Sequence, residues 1–309
     1  MKLFVLSKEN LELSQAEAER LHGIKGRRAG EFLFLDVDEC QEGLALTRSI
    51  HDILFETSTE KLESDAAGFD WNRHVEPPFA VRGIDEKKFA GHVWRALEAA
   101  GKQPSVDLKN PKTKIVVFKI KEKIMITKSL WVNQEKFFDR RPHLRPKNHP
   151  TGLSPKLARA MVNLAGAETI LDPFCGAGGI LLEGSLAGRR MTGVDIDERQ
   201  IARAEENLTH YEVAATLTIG DATRCDALGA FDAIVTDLPL GKNAKLENPE
   251  STFSGFFKAA ARITGTVVVA TDSQFNLRKC FRKFFEEKGY FDWYLHKGME
   301  KRIFLLGKP

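Results

Sequence analysis

Thr169-Ile170-Leu171-Asp172-Pro173-Phe174-Cys175-Gly176-Ala177-Gly178-Gly179-Ile180-Leu181-Leu182-Glu183 decides the fold of this chain. An apolar run closes on a carboxylate, passes through a turn too rich in glycine for a Cβ to obstruct a ligand, and enters an apolar helix-like segment. In a doubly wound α/β sheet such a turn lies at the carboxyl end of a strand, where ligands bind. The unit recurs at Met191-Thr192-Gly193-Val194-Asp195-Ile196-Asp197, Thr216-Leu217-Thr218-Ile219-Gly220-Asp221-Ala222 and Phe231-Asp232-Ala233-Ile234-Val235-Thr236-Asp237. Four acidic strand ends along one edge make a cleft suited to hydroxyls, amines and a cation, and poorly suited to a pyrophosphate. A dinucleotide site would need Gly-x-Gly-x-x-Gly, and Leu181 stands where the third glycine belongs.

These motifs resemble the class I S-adenosylmethionine-dependent methyltransferases. The resemblance implies a Rossmann-like seven-stranded sheet ending in an antiparallel hairpin, with S-adenosylmethionine as cofactor. Asp172 and the glycine turn would meet its methionine end, Asp195 the ribose, and Asp221 with Ala222 the adenine. The expected cofactor set is Asp172, Phe174, Cys175, Gly176, Ala177, Gly178, Asp195, Ile196, Asp221, Ala222 and Asp237.

Composition agrees with a globular protein of about two domains: 309 residues, 42% hydrophobic and 29% charged. No apolar run approaches the ~20 residues of a membrane span, and Met1-Lys2-Leu3-Phe4-Val5-Leu6 is too short for a signal peptide, so a cytoplasmic protein is expected. Cys40, Cys175, Cys225 and Cys280 are scattered without a C-x-x-C pair, so neither a disulfide framework nor a metal site is expected. The net charge of +3 is uninformative, but Lys and Arg cluster at Lys112 to Lys128 and Arg140 to Lys147, ahead of the acidic strand ends. A polyanionic substrate would suit that asymmetry; a solvated face is the alternative for either cluster.

Upstream, strands are expected at Lys2 to Ser7, Glu31 to Val37, Phe79 to Arg82, Lys114 to Ile120 and Lys123 to Thr127. Helices are expected at Ser14 to His22, N-capped by Ser14, at Leu44 to Leu54, and at Asp85 to Ala100. Together they imply an α+β region over residues 1–128. Val106-Asp107-Leu108-Lys109-Asn110-Pro111 ahead of a strand, with Phe79-Ala80-Val81-Arg82 before it, resembles the THUMP domain, an RNA-binding module of tRNA-modifying enzymes. Residues 129–150 read as a proline-bearing linker and 151–309 as the methyltransferase domain. Asp139-Arg140-Arg141-Pro142 with His149-Pro150-Thr151-Gly152-Leu153-Ser154-Pro155 resembles the opening of the catalytic domain in THUMP-bearing tRNA guanosine N2-methyltransferases. Ser154 and Pro155 independently read as an N-cap and first helical residue. Arg82, Lys109, Lys112, Arg140, Arg141 and Arg145 are the expected RNA contacts. Further helices are expected at Gly179 to Ala187, Asp197 to Tyr211, Phe253 to Ile263 and Gln274 to Gly289, and closing strands at Asp292 to His296 and Lys301 to Leu306.

Asp237-Leu238-Pro239-Leu240 stands where amino-methyltransferases carry [DN]-P-P-[YF]. An exocyclic amine on a purine is a poor nucleophile because its lone pair is delocalised. Holding it between a carboxylate and a backbone carbonyl turns that lone pair toward the methyl donor. Asp237 would supply the first, and Leu238 or Pro239 the second. Leu240 replaces the aromatic that would stack on a flipped base, so Phe174 or Phe253 is expected to help, and Lys242 to Ser251 reads as a mobile or plain surface loop. The resemblance implies methyl transfer from S-adenosylmethionine to guanosine N2 at position ten of tRNA, with a small zinc-binding activating protein as a further partner. Two rivals remain: another nucleic-acid amino-methyltransferase, and a non-catalytic RNA-binding subunit that keeps the fold.

Overall fold

The computed structural model describes residues 1–147, 152–240, 247–296 and 298–309. Two units are present: Met1–Leu11, Ile24–Glu42 and Thr47–Asn133 form one, while Glu12–Gly23, Gly43–Leu46 and Gln134–Pro309 form the other. The first 133 residues carry, in chain order, β1 (Lys2–Leu6), α1 (Leu11–His22), β2 (Arg27–Ala29), β3 (Phe32–Leu35), β4 (Thr47–Ser58), α2 (Leu62–Gly68), α3 (Trp71–His74), β5 (Phe79–Gly83), α4 (Glu86–Ala99), β6 (Thr113–Ile120) and β7 (Lys123–Val132).

In the first unit the seven strands form one sheet, ordered β2-β3-β1-β4-β7-β6-β5. Every pair is antiparallel except β5–β6. Alternation along β6 explains its two faces: Ile115 and Val117 pack with Trp71, Phe89 and Val93, while Phe118 and Ile120 pack with Leu3, Phe34 and Met125. On α4 the buried residues are Phe89, Val93 and Leu97, one helical stripe. Two expectations are corrected. Leu44–Leu54 is not helical; from Thr47 it is strand, because β1 and β7 flank it and satisfy its backbone on both sides. Ser14 does not cap α1, which starts at Leu11 and buries Ser14.

The second unit adds α5 (Pro155–Ala165), β8 (Thr169–Asp172), α6 (Gly179–Leu186), β9 (Arg190–Asp195), α7 (Glu198–His210), β10 (Thr216–Ile219), β11 (Ala233–Asp237), α8 (Pro249–Ile263), β12 (Thr266–Asp272), α9 (Arg278–Phe281), β13 (Glu286–His296) and β14 (Met299–Gly307). Its sheet runs β10-β9-β8-β11-β12-β14-β13. The first five strands are parallel, and β14 is antiparallel to both β12 and β13. Both faces are covered, which is why these strands read as near-continuous apolar runs. Ile170, Ala233, Val235, Val268, Ala270 and Ile303 share one core with α5 and α6 residues. Leu171, Ile234, Val267, Val269, Phe304 and Leu306 share the other with Phe253, Phe256, Phe257 and Phe281. Ser154 caps α5 by accepting from the Leu157 N–H at 3.3 Å, with Pro155 at its first turn.

The expected helix Gln274–Gly289 is reduced to α9. Phe281 and Phe285 pack against Phe257, and β13 begins at Glu286 because β14 offers a partner as far as Gly307. Although α1 lies within 1–128, it packs in the second unit: the buried Glu17 carboxylate accepts from Ala45 N–H (2.6 Å), Leu46 N–H (2.8 Å) and Asn163 Nδ2 (2.7 Å). Strand β7 continues to Val132, into the expected linker. His149–Thr151 lie outside the described residues.

Candidate active site

Three strand ends bring carboxylates together at the carboxyl edge of the parallel sheet. Asp172, at the end of β8, is 1% exposed. Its Oδ1 accepts from Thr236 Oγ1 (2.7 Å) and from Phe174 N–H (3.3 Å). Burial outweighs these hydrogen bonds and, with the charges of Asp237 and Asp195 nearby, pushes its carboxyl up to about 7. The turn that follows reaches Gly178, whose φ of +80° and whose neighbour Ala204, 3.1 Å from where a Cβ would sit, both require glycine. Asn207 fixes this turn by donating to Ala177 O (2.9 Å) while accepting from Lys147 N–H (2.9 Å).

Asp195, at the end of β9, accepts from Gly176 N–H through Oδ2 and from Asp197 N–H through Oδ1, both at 2.9 Å. The strand and the glycine turn therefore share one carboxylate. Close approach is allowed by Gly193, where a Cβ would lie 2.4 Å from Leu181 Cδ1. Ile196 follows with its apolar side chain 76% exposed. Asp221 is exposed and caps the 3₁₀ turn Ala222–Leu228 by accepting from Thr223 N–H at 2.8 Å; Ala222 is buried. Cys175 is buried, and burial together with the Asp172 and Asp195 charges pushes its thiol far up, so it is a neutral packing residue.

Asp237 ends β11 and pairs with Lys301, the third residue of β14. Burial raises its carboxyl above the usual range; the Lys301 charge and hydrogen bond oppose this. Leu238 is 1% exposed and donates its N–H to Ala270 O at 2.9 Å, while its own carbonyl accepts from Leu240 N–H at 2.8 Å. One lone pair of the Leu238 carbonyl is thus engaged. Leu240 and Phe174 are half-buried against the α8 core. Phe253 is fully buried, edge-on to Phe174 (6.1 Å) and Phe275 (5.5 Å), so it cannot stack on a base as expected; Phe174 keeps exposed surface. Of the expected loop, Lys242 to Leu246 lies outside the described residues, and Asn248 then caps α8.

Among the expected RNA contacts, two arginines are corrected. The Arg140 side chain is 12% exposed and grips Glu183, itself fully buried, at 2.8 and 3.1 Å. Arg145 is 6% exposed and donates to Arg140 O at 2.9 Å. Both hold the chain against α6. Arg141 instead lies exposed, 3.9 Å over the ring of the exposed Phe138. In the first unit Arg82 braces the Val106 to Pro111 segment by donating to Leu108 O (3.0 Å), Lys112 pairs with Glu76, and Lys109 is exposed. Lys301, Thr236 and Asn207 were missed from sequence. None has a spacing signal, since Lys301 is 64 residues from its partner.

Glycine where a ligand would press on backbone, an accepting carboxylate beyond β9 and the uncovered apolar Ile196 fit a nucleoside cofactor with ribose hydroxyls. Among the described residues no group of three His, Cys, Asp or Glu is placed to hold a metal ion. No helix among them is long and apolar enough to cross a membrane. Sheet order, closing antiparallel hairpin and acidic strand ends define a class I, Rossmann-like, S-adenosylmethionine-dependent methyltransferase. The same fold is seen over the whole chain in the crystal structure of TrmN from Thermus thermophilus (TM-score 0.51, 21% identity, 99% of that chain). It recurs in SMU.472, a putative methyltransferase complexed with SAH (TM-score 0.51, 13% identity, 98% of that chain). Residues 142–300 match the UPF0020 family, described as RMKL-like, methyltransferase domain. Over 278 residues the chain is 34% identical to the tRNA (guanine(10)-N2)-dimethyltransferase of Methanothermobacter thermautotrophicus, covering 84% of this chain and 82% of that one. The same-named Methanocaldococcus jannaschii protein is 32% identical over 222 residues, 66% of this chain and 60% of its own. The chain belongs to this family of methyltransferases.

Proposed function

We infer that this chain transfers a methyl group from S-adenosylmethionine to the exocyclic N2 of a guanosine in tRNA, with position ten as the target. One observation carries the reading: in a chain with a tRNA (guanine(10)-N2)-dimethyltransferase relative along most of its length, Asp237 ends β11 beside the turn of Asp172 and Gly176 to Gly178. In this reading Asp195 takes the ribose hydroxyls, Ile196 and Ala222 flank the adenine with Asp221 at its edge, and the glycine turn and Asp172 face the methionine end. The bound cofactor supplies an electrophilic methyl on a sulfonium. Asp237 accepts one N–H of the base amine and the carbonyl of Pro239 the other, which turns the nitrogen lone pair toward the methyl. As the C–N bond forms, the carboxylate is the nearest acceptor for the departing N2 proton. Leu240 with Phe174 forms an apolar clamp on the flipped base.

The first unit is the proposed RNA-gripping, THUMP-like region, through Arg82, Lys109 and Lys112, and Arg141 on Phe138 adds a stacked cation. Such a substrate implies a cytoplasmic site of action. A small zinc-binding activating protein is a further proposed partner. The Phe231 to Val235 and Val267 to Ala270 stretches offer it little, because β11 and β12 lie inside the sheet. The edge strand β13, with Tyr290 and Tyr294 48% and 68% exposed, is the better surface.

Mass spectrometry of nucleosides from tRNA incubated with the full chain and labelled S-adenosylmethionine tests the reading. Labelled N2-methylguanosine or N2,N2-dimethylguanosine mapped to position ten is expected, and Asp237→Ala should lose roughly 10²-fold in turnover with cofactor affinity nearly intact. Label on adenosine would point to another amino-methyltransferase. Cofactor binding without any transfer would leave a non-catalytic RNA-binding subunit.

A further inference from the structure

The Lys301 ion pair is not explained by packing alone. Asp237, Ala270 and Ile303 are successive cross-strand neighbours on β11, β12 and β14. Ala270 and Ile303 belong to the core shared with α5 and α6. Lys301 stands two residues before Ile303, on the same face of the strand, so its four-carbon stem spans β12 past the small Ala270 to reach Oδ1 of Asp237. Both side chains are largely withdrawn from water, at 14% and 19% exposure. Desolvating such a pair costs about as much as its attraction returns, so stability by itself gives little reason for it. Its place does: it is fastened to the carboxylate that faces the proposed substrate amine.

We propose that Lys301 is the positioning residue of the transfer: its ammonium holds Oδ1 of Asp237 and leaves Oδ2 as the single acceptor presented to the base amine. This rests on the methyltransferase reading above. A carboxylate free to rotate could offer either oxygen, and it would lose the cation paired with it in a cleft that also holds Asp172 on β8 and Asp195 on β9. Asp272, at the end of β12, is opposite Lys301 in the ladder and is a further charged group beside the pair among the described residues. Lys301 therefore does two things. It fixes which lone pairs the N2 hydrogens meet, and it keeps Asp237 ionised against burial and against the neighbouring acids. Protonated Asp237 could neither accept the amine hydrogen nor take up the proton released when the C–N bond forms and the C–S bond breaks.

The test uses the full chain, with S-adenosylmethionine and tRNA, as wild type, Lys301→Met and Lys301→Arg. A nearby opposite charge depresses a carboxyl by roughly one to three pH units, so in Lys301→Met the acid limb of kcat should move up by about that much. The tRNA KM and cofactor Kd should stay within about twofold, as expected of a group acting through the chemical step. Lys301→Arg should restore the limb. In parallel, the Asp237 carboxyl carbon, assigned by its loss in Asp237→Asn, is titrated by carbon-detected NMR and should move in the same direction without any turnover. Should Lys301→Met not fold, Lys301→Gln, which keeps a donor but no charge, carries the same comparison. If the wild type does methylate guanosine, an unmoved acid limb in Lys301→Met would overturn the role of Lys301 alone, as would an unmoved Asp237 titration in that variant. A wild type that never methylates guanosine N2 would overturn the functional reading, and would do so before any variant is made.

Discussion

Replacing Asp195 by alanine removes a carboxylate that holds two backbone N–H groups before any ligand arrives. Its Oδ2 takes Gly176 N–H and its Oδ1 takes Asp197 N–H, each at 2.9 Å. One residue thus shapes the glycine turn and, in the proposed site, receives the ribose hydroxyls. A hydrogen bond to a charged group is worth about 1.5–3 kcal/mol, but neither N–H lies in a buried residue, so water can replace the lost acceptor. A fall of about 1–2 kcal/mol in unfolding free energy is therefore expected, a few degrees in Tm for a domain of this size. Affinity should suffer more, because a pair of charge-assisted ribose hydrogen bonds is lost and the turn is less organised; the expected loss is about ten- to a hundredfold, 1.4–2.8 kcal/mol. Isothermal calorimetry with S-adenosylhomocysteine and a thermal melt of the same preparation give both numbers. An unchanged Kd with a normal melt would refute the assignment of Asp195. A large drop in Tm with a recoverable Kd at low temperature would show the turn-shaping role without the ribose role.

Other perturbations follow from the same geometry. The buried Asp172, whose carboxyl is carried from 3.8 to about 7, binds its proton more tightly folded than unfolded. Its stabilising effect is thus full below about pH 4 and is lost as pH rises through 7, on the order of 4 kcal/mol in all, and denaturant titrations of Asp172→Asn against wild type should show that slope removed. Arg140→Ala should lower stability by roughly 3 kcal/mol, because Glu183 is left buried with Arg159 as its remaining partner, 3.3 Å away. If the variant melts normally yet binds tRNA weakly, Arg140 is an RNA contact after all. Charge reversal at Lys109 and Lys112 should weaken tRNA binding and flatten its dependence on salt, with cofactor affinity unchanged; filter binding across a salt series reads this directly.

Much of the second unit was legible in the chain itself. A parallel strand buried on both faces has to be an unbroken apolar run, and a ligand-facing turn at its end has to be short of side chains; Thr169 to Glu183 satisfies both, and the acidic residues that follow repeat the signal. Asp172, Asp195 and Asp237 were found because each ends such a run. Local sequence misled where partners decide the state. The stretch from Thr47 to Leu54 has no choice of its own between helix and strand, and becomes β4 because β1 and β7 flank it. The region after Gln274 yields to β13 because β14 needs a neighbour as far as Gly307. Charge is equally blind to fate: Arg140, Arg141 and Arg145 are five residues apart at most, yet Glu183 takes the first inward, the second stays outside on Phe138, and the third is buried over α6. Sequence by itself determined the sheet, the glycine turn and the acids at its edge, since those are set by period, composition and the chemistry of single residues. Which cation meets Asp237, which arginines stay exposed and which ring keeps open surface were decided only by tertiary structure, because each depends on distances between residues that no spacing along the chain encodes.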